Sequence, residues 1–503
     1  MVVFPEPVTP MMRSIICQVR KSGAPSFAHS AGQVQHSLGK WSTLRAFAAG
    51  RKLELCGETS GKPLSIAKTA AKKAGLLYFV FVMFAYTTGG PFGMEEMVTT
   101  SGPGLTLLYL LVIPLFWCIP VSLVAAELTT AIPVEGGFYR WVRAGYGNFW
   151  GFLAGWWNWS ASWLLGGSYA VLFSDYLGGF FPSLVGWKHY LVSVALIALL
   201  AYVNIRGIQM VGIVSTVLEF SVLVPVLALC VIAATKWHFN AFHPFVPPHV
   251  PPFQVFGVGL ALGLWLYSGY EQCSSVAEEI ENPQRNFPIA LAIVVPLSIA
   301  TYYLPALFSL AALGNWDKWN TAYLPTAGLL IGGSMLGFAL TVAAMLGNVA
   351  LLNATVLTST RMPSSMAEDG YLPPVFAAKH PKYGTPWIAI LISSGIYALL
   401  AFHTLAQLLT VYIWLRSLVT VLTVLAAWKL RKTRPEMPRP FRIPWGNVGL
   451  VYVVIAPILM TIVALVFSDK FALKWGPVPV MLGVVAYFVF PQINKLVEGQ
   501  DGR

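Results

Sequence analysis

Long blocks of apolar residues recur along this 503-residue chain, separated by short polar segments. Most of the blocks reach about 20 residues, the length that an α-helix needs to cross a hydrocarbon core of about 30 Å. Within a block, apolar and polar positions do not alternate, so the pattern predicts helices and not the strands of a membrane barrel. We therefore expect an all-α membrane protein.

The blocks predict about twelve transmembrane helices. Their expected bounds are 74–100, 105–131, 149–180, 187–205, 208–234, 253–280, 288–313, 325–359, 385–402, 405–429, 447–467 and 476–493. With the amino terminus placed inside, 26 of the 32 Lys and Arg residues fall on the cytoplasmic side and 5 outside, while Arg416 lies within a span. This bias follows the positive-inside rule and predicts that both termini are cytoplasmic.

The composition narrows the class of protein. Only 10% of the residues are charged, against roughly 25% in soluble proteins, which argues against a large soluble enzyme. The net charge of +12 follows the membrane topology, so we expect no nucleic-acid partner. Five cysteines without a C-x-x-C pair predict neither a disulfide framework nor a metal site. No H-E-x-x-H or G-x-S-x-G motif occurs, so we expect neither an enzyme nor a cofactor.

Two spans are interrupted at matched positions. The first contains "GGPFGMEE" at 89–96 and the sixth contains "YSGYE" at 267–271, with Gly89 and Ser268 each 15 residues after the start of its span. At 1.5 Å per residue, both breaks lie about 22 Å along their helices, near the middle of the membrane. Paired interruptions of this kind indicate a transporter built from inverted repeats, with its substrate site at the breaks. The alternative is a pair of Gly/Pro kinks that serve packing alone.

The matched breaks divide the chain. We expect a transmembrane domain at 74–493, with repeat one at 74–234, repeat two at 253–429 and extra helices at 447–493, followed by a cytoplasmic terminus at 494–503. Residues 1–73 are basic and lack the apolar run of a signal peptide. They are expected to form a disordered cytoplasmic tail, or to reflect an over-long start of the chain.

Several further motifs occur in a recognisable order. They are "AELTTAIPVEGGFYRWV" at 126–142, "AEEIENPQRNFPIAL" at 277–291, "TSTRMPSSMAEDGYLPPVF" at 358–376 and "RPFRIP" at 439–444. Together with "GGPFGMEEMV", they resemble the amino acid–polyamine–organocation superfamily, and within it the amino-acid and polyamine permeases, over about residues 70–445. The resemblance implies a LeuT-like fold of two inverted five-helix repeats with discontinuous helices 1 and 6, plus two extra helices. It also implies secondary transport of amino acids or polyamines by alternating access.

The chain departs from the polyamine subgroup at two positions. That subgroup often carries acidic residues where this sequence has Val121 and Leu165. The loss of these two carboxylates weakens a polyamine assignment and keeps amino acids in play.

The breaks supply the candidate substrate-binding residues, which are Gly89, Gly90, Phe92, Gly93, Glu95, Glu96, Tyr267, Ser268, Gly269, Tyr270 and Glu271. Ionisable residues inside spans are costly and need a reason. We expect Glu271 to contact a substrate ammonium group, with help from Glu95 or Glu96. Capping of the unwound backbone is the alternative for all three. Tyr267 and Tyr270 could stack on a cation, although core contact is the simpler interpretation.

The remaining intramembrane and helix-end charges have two candidate roles. Glu219, in the middle of the fifth span, is a candidate coupling proton site, or an internal partner for a polar group such as Arg416. The charges at cytoplasmic helix ends are candidates for an inner gate of ion pairs, or for simple capping; they are Glu127, Glu278, Glu279, Arg285 and Arg361.

These features predict a secondary transporter of amino acids or polyamines, with a cationic substrate favoured and either proton coupling or exchange. The alternatives are a neutral amino-acid exchanger and a permease-fold nutrient sensor without flux. The expected partners are a small-molecule substrate and the lipid bilayer. The expected location is the plasma membrane or the bacterial inner membrane.

Overall fold

The computed structural model describes residues 75–132, 136–206, 209–248 and 250–500. Within these ranges the chain is helical and contains no strand, which confirms the all-α expectation. The expected tail at 1–73 lies outside the described residues. Long apolar blocks fold as helices because every backbone N–H and C=O then finds its partner within the segment.

The described residues contain eighteen α-helices with four short segments of other helix types. The first nine are α1 (Leu76–Thr87), α2 (Glu95–Ser101), α3 (Pro103–Ile113), α4 (Ile119–Ala131), α5 (Gly137–Tyr146), α6 (Asn148–Gly178), α7 (Trp187–Arg206), α8 (Gln209–Ala234) and α9 (Pro252–Leu266). The last nine are α10 (Pro283–Leu313), α11 (Leu324–Gly332), α12 (Ser334–Ser359), α13 (Arg361–Glu368), α14 (Trp387–Leu400), α15 (Leu405–Thr433), α16 (Gly446–Val466), α17 (Lys470–Trp475) and α18 (Pro477–Gln500). A π-helical turn at Pro114–Cys118 joins α3 to α4, and 3₁₀ segments lie at Tyr270–Glu279, Trp316–Lys318 and Pro374–Ala377.

Seven helical stretches in this part of the chain are long and apolar enough to cross a membrane. They are Pro103–Ala131, Trp187–Arg206, Pro283–Leu313, Ser334–Glu368, Leu405–Thr433, Gly446–Val466 and Lys470–Asn494. Two shorter apolar helices, Ser221–Ala234 and Trp387–Leu400, add to them. These stretches are what an integral membrane protein requires, while the total of twelve spans stays a prediction.

Two sequence-predicted boundaries were wrong. The span expected at 325–359 is two helices, α11 and α12, because Gly333 adopts a positive φ of 83° between them. The last helix, expected to end at residue 493, continues to Gln500, and the cytoplasmic location of residues 494–503 stays a prediction. Asn494 fixes that last part of α18, since its side-chain amide donates to the carbonyl oxygens of Gly370 (3.0 Å) and Leu372 (3.1 Å).

Both interruptions occur where the sequence indicated them. The helix of the first span ends at Thr87 and resumes at Glu95, and Gly90 and Gly93 between them adopt φ values of 85° and 86°. These angles lie in the left-handed region, which glycine enters without a steric penalty. In the second case α9 ends at Leu266, and the chain passes through Gly269, with a φ of 114°, into the 3₁₀ segment.

The first interruption lies directly against α12. A Cβ atom added at Gly347 of α12 would lie 2.5 Å from the carbonyl oxygen of Gly89. Helices in membranes approach one another most closely where small residues meet. Because Gly347 has no side chain, the unwound backbone can lie directly against α12.

Gly347→Ala should destabilise the protein, because the added methyl group meets backbone and the interruption must shift. We expect a loss of roughly 1–3 kcal/mol, which is typical of overpacking, measured as a lower midpoint of thermal unfolding in detergent. Gly395→Ala is the matched control, since Gly395 also lies within a helix and nothing would come within 4 Å of its added Cβ. Equal midpoints for the two variants would contradict the close approach.

Candidate functional site

The two interruptions open into one buried cavity of about 60 Å³. Gly89, Gly90 and Phe92 line it from the first interruption, and Ser268 and Gly269 line it from the second. The other polar side chains of the wall are Thr87, Asn158, Ser162, Tyr169, Gln272, Tyr302, Asn348, Thr355, Thr358, Ser359, Tyr412 and Arg416. A cavity of this size holds several water molecules or part of a small polar solute. The structure thus brings five of the predicted substrate-binding residues together.

Glu95 lies beside this cavity and not in its wall. Its carboxylate is fully buried and accepts hydrogen bonds from the Gly93 N–H (2.7 Å) and the Tyr176 hydroxyl (2.6 Å). A longer bond of 3.4 Å comes from the Leu324 N–H. The carboxylate therefore satisfies backbone donors that the unwinding releases, which is the capping role that the sequence left open.

Gly93 and Glu96 also lie outside the cavity wall. A Cβ atom at Gly93 would lie 2.9 Å from the ring of Trp265, so this glycine allows the tryptophan to pack against the first interruption. Glu96 is partly exposed, and its carboxylate accepts a 3.3 Å hydrogen bond from the Thr321 hydroxyl.

The second interruption is held by α3 and the turn that follows it. The Trp117 ring N–H donates to the Ser268 hydroxyl (3.0 Å), which in turn donates to the Leu264 carbonyl (2.6 Å). The Tyr267 hydroxyl donates to the Leu110 carbonyl (2.7 Å). Tyr267 and Tyr270 are both buried and do not line the cavity, so here they make core contacts.

Glu271 forms a buried ion pair with Arg416 of α15. Both side chains are at most 3% exposed, and Glu271 also accepts a 3.3 Å hydrogen bond from the Gly269 N–H. The guanidinium group donates to the Asn158 side-chain oxygen at 2.9 Å. Of the two charges, only Arg416 belongs to the cavity wall. A carboxylate that the sequence assigned to a substrate ammonium group is thus already neutralised by a neighbouring cation.

Glu219 belongs to α8, and its side chain lies outside the described residues, as do those of Glu278 and Glu279. Arg416 was the suggested partner of Glu219, and the ion pair that the structure describes for Arg416 is the one with Glu271. The role of Glu219 as a coupling site therefore stays a prediction.

Glu127 forms a clasp at one end of the helix bundle. Its buried carboxylate accepts two hydrogen bonds from Arg431, of which the bond from Nε is 2.8 Å long. The Arg439 Nε lies 3.4 Å from the same carboxylate, and the Ile443 N–H donates to it at 2.9 Å. Glu127 thus ties α4 to the end of α15 and to the segment that leads into α16.

A second cluster at that end centres on Asp369, which follows α13. One carboxylate oxygen accepts hydrogen bonds from Arg140 (2.8 Å), Arg143 (2.7 Å) and the Tyr139 hydroxyl of α5. Burial and the adjacent Asp369 both raise the pKa of Tyr139, so its phenol stays protonated and keeps donating. The cluster joins α5 to the segment after α13.

The other predicted gate residues are separate from these two clusters. Arg285 is exposed near the start of α10. Arg361 lines a smaller cavity of about 30 Å³ next to Gly137 and Phe138. This smaller cavity shares Gln272 and Thr358 with the cavity between the two interruptions, which is called the main cavity below. The partners of Glu127 are Arg431 and Arg439, because the segment after α15 folds back onto α4. The role of Glu127, Glu279, Arg285 and Arg361 as a gate stays a prediction.

Sequence reasoning missed three residues that hold this region together: Asn158, Tyr176 and Asp369. Asn158 accepts from both Arg416 and the Gln272 amide (2.8 Å), and a polar residue among the tryptophans of α6 was a usable signal. Tyr176 lies 81 positions from Glu95, and Asp369 lies at least 226 positions from its partners. Such separations carry no local pattern, so only the folded chain reveals them.

Comparison with known proteins gives a consistent result. A sequence model described as amino acid permease matches residues 78–489. A probable polyamine transporter of Arabidopsis thaliana is 32% identical over 89% of this chain and 91% of its own length. A polyamine transporter of the same plant is 30% identical over 87% of this chain and 90% of its own. A serine/threonine exchanger of Bacillus subtilis is 26% identical over 74% of this chain and 86% of its own length.

Glu95→Gln should destabilise the protein, because an amide has one acceptor oxygen for the two close donors that the carboxylate now satisfies. We expect a loss of roughly 1–3 kcal/mol for the unsatisfied buried group, read from thermal unfolding in detergent. Glu96→Gln is the matched control with a smaller loss, since Glu96 is partly exposed and has one long contact. A larger effect at Glu96 than at Glu95 would contradict the capping role.

Glu127→Gln should weaken the clasp, because it removes the charge that two arginines share in a buried position. Breaking a buried pair typically costs about 3–5 kcal/mol, and the midpoint of thermal unfolding should fall accordingly. Glu368→Gln is the control, since Glu368 pairs with Lys379 at 3.4 Å with both side chains largely exposed, and such a pair contributes about 0–1 kcal/mol. Equal midpoints would rule out the clasp as a stabilising element.

Proposed function

This chain belongs to the amino acid permease family, and we propose that it is a secondary transporter that moves amino acids or polyamines across a membrane by alternating access. The observation that carries the proposal is the meeting of two helix interruptions in one buried polar cavity. Unwound backbone inside a membrane is tolerated where it lines a cavity or binds a ligand. The names of the three relatives, two polyamine transporters and one amino-acid exchanger, agree with that range of substrates.

The proposed architecture has twelve transmembrane helices, with a LeuT-like pair of inverted five-helix repeats and cytoplasmic termini. α1 and α2 form the discontinuous helix of repeat one, and α9 and the 3₁₀ segment form that of repeat two. The excess of Lys and Arg on one side supports this orientation. The order of the helices and the matched interruptions support the repeats.

In this orientation, the Glu127 clasp and the Asp369 cluster lie on the cytoplasmic side. The smaller cavity with Arg361 lies on the same side and shares walls with the main cavity. Glu95, Tyr176 and Phe92 close the opposite side, where the rings of Phe92 and Tyr176 meet edge to face at 5.5 Å. We propose that the structure corresponds to a state closed to the outside, with its exit path toward the cytoplasm.

Three roles follow from this arrangement. The backbone groups of Gly89 and Gly90 would contact the substrate directly. Glu271 would receive a substrate ammonium group once its pairing with Arg416 opens. Glu219, in the middle of α8, would carry the coupling proton, since intramembrane carboxylates serve this purpose in transporters.

Flux is the property that separates a transporter from a nutrient sensor with the same fold. The purified full-length protein in liposomes should exchange internal unlabelled substrate for external labelled substrate when amino acids and polyamines are screened. A protein that binds one of these compounds yet gives no counterflow would be a sensor, and would overturn the proposal.

Glu219→Gln should abolish accumulation driven by an inward proton gradient while leaving counterflow intact, because an amide cannot release a proton at the coupling step. The measurement compares gradient-driven uptake with counterflow in the same liposomes. Glu436→Gln, at an exposed position after α15, is the matched control and should keep both activities. Gradient-driven accumulation by Glu219→Gln at the wild-type level would exclude Glu219 as the coupling site.

A further inference from the structure

An apolar groove lies between α4, α10 and the segment that leads into α16. Its volume is about 400 Å³, several times that of the main cavity. Residues between Ile119 and Ala126 line it from α4, and residues between Pro288 and Pro296 line it from α10. At 1.5 Å per residue, these stretches extend about 10 Å and about 12 Å along their helices. The groove therefore follows both helices lengthwise.

The groove is open along α10. Ala292 and Pro296 line it and are exposed. Pro296 has no N–H to donate to the Ala292 carbonyl, and a proline inside a helix bends it. Because α10 is one of the helices long and apolar enough to cross a membrane, the medium that reaches the groove there is lipid.

The segment that leads into α16 adds a positive charge. Among the described residues that line the groove, Arg442 is the one with a charge. It is exposed, and no carboxylate of the described residues forms an ion pair with it. Burial lowers the pKa of Arg439, and the adjacent cations Arg431 and Arg442 lower it further. Positive charge is therefore in excess beside the groove, although Glu127 already neutralises part of it.

Arg442 lies at the level where lipid headgroups are expected. α16, which is apolar enough to cross a membrane, begins four residues later at Gly446, and the side chain of Trp445 before it is 71% exposed. Tryptophan is enriched at the interface between membrane and water. Residues 429–442 carry six Lys and Arg and one Glu, and basic segments of this kind next to a transmembrane helix attract anionic lipids.

We propose that this groove binds one anionic phospholipid, with the phosphate on Arg442 and an acyl chain between α4 and α10. The paired donors of arginine match the geometry of a phosphate group, and the apolar lining matches the chain. A phosphatidylcholine headgroup would bring its own cation next to Arg442, so a lipid with net negative charge is preferred. The bound lipid would join α4, α10 and the segment that holds the Glu127 clasp, and would therefore stabilise the protein.

The test counts lipids bound to the purified full-length protein by native mass spectrometry, with dioleoyl phosphatidylglycerol or dioleoyl phosphatidylcholine added in detergent. Wild-type protein should retain one phosphatidylglycerol more tightly than phosphatidylcholine, and its midpoint of thermal unfolding should rise more with the anionic lipid. Arg442→Gln should weaken retention of phosphatidylglycerol by at least about tenfold, as expected for the loss of a hydrogen-bonded charge. Ala292→Trp, which fills the groove from an exposed position, should also weaken it.

Two variants are matched controls and should retain phosphatidylglycerol as the wild type does. Arg434→Gln removes the same charge from an exposed position in the same basic run, outside the groove. Ile293→Trp adds bulk to α10 at a position that is 46% exposed and does not line the groove. Arg442→Lys, which keeps the charge, should keep the preference for the anionic lipid.

Three results would overturn the inference. Equal retention of the two lipids by the wild-type protein would indicate ordinary surface lipid only. Equal losses in Arg442→Gln and Arg434→Gln would indicate diffuse attraction by the basic run. A dimer that forms only without added lipid, and that Ala292→Trp abolishes, would assign the groove to a second copy of the chain.

Discussion

The backbone of the two helix interruptions sets the constraint on which the rest of this structure depends. Residues 88–94 and 267–269 release N–H and C=O groups in a region where water is scarce, and each unpaired group there costs several kcal/mol. Specific side chains in the protein pair with some of these backbone groups or fix the side chains beside them. Glu95 accepts from Gly93, Trp117 fixes Ser268, and Gly89, Gly90 and Gly269 line the shared cavity. The cavity thus lies where the two helices unwind, and polar side chains of the surrounding helices complete its wall.

Compensation of buried charge follows the same logic. Two buried carboxylates are neutralised by cations from α15 or from the segment after it. Glu271 pairs with Arg416, and Glu127 pairs with Arg431 and Arg439. A single helix therefore supplies a cation to the cavity at its middle and to the clasp at its end. Because α15 also packs against α6, a shift of α15 would alter both regions together. This connection offers a physical link between the state of the cavity and the state of the end of the bundle that holds the clasp.

The sequence predicts the helices well, because apolar length and the positions of Gly and Pro are local properties. The interruption at 89–96 and the one at 267–271 were visible for this reason, and most span boundaries agreed within a few residues. The break at Gly333 was missed because an apolar block continues through it. Side-chain partners were harder to predict. Arg416 was noticed as a charge inside a span, yet its pairing with Glu271 depends on how α15 packs against the second interruption, which no spacing in the sequence specifies.

The central claim is that the two interruptions form the substrate site and that a substrate enters by separating Arg416 from Glu271. A structure of the full-length protein in nanodiscs with a transported amino acid tests this claim most directly. The account predicts substrate density between Gly89–Gly90 and Gly269, with the substrate ammonium group beside Glu271 and the Arg416–Glu271 pair open. Substrate density elsewhere, or density at this position with the Arg416–Glu271 pair still closed, would contradict it.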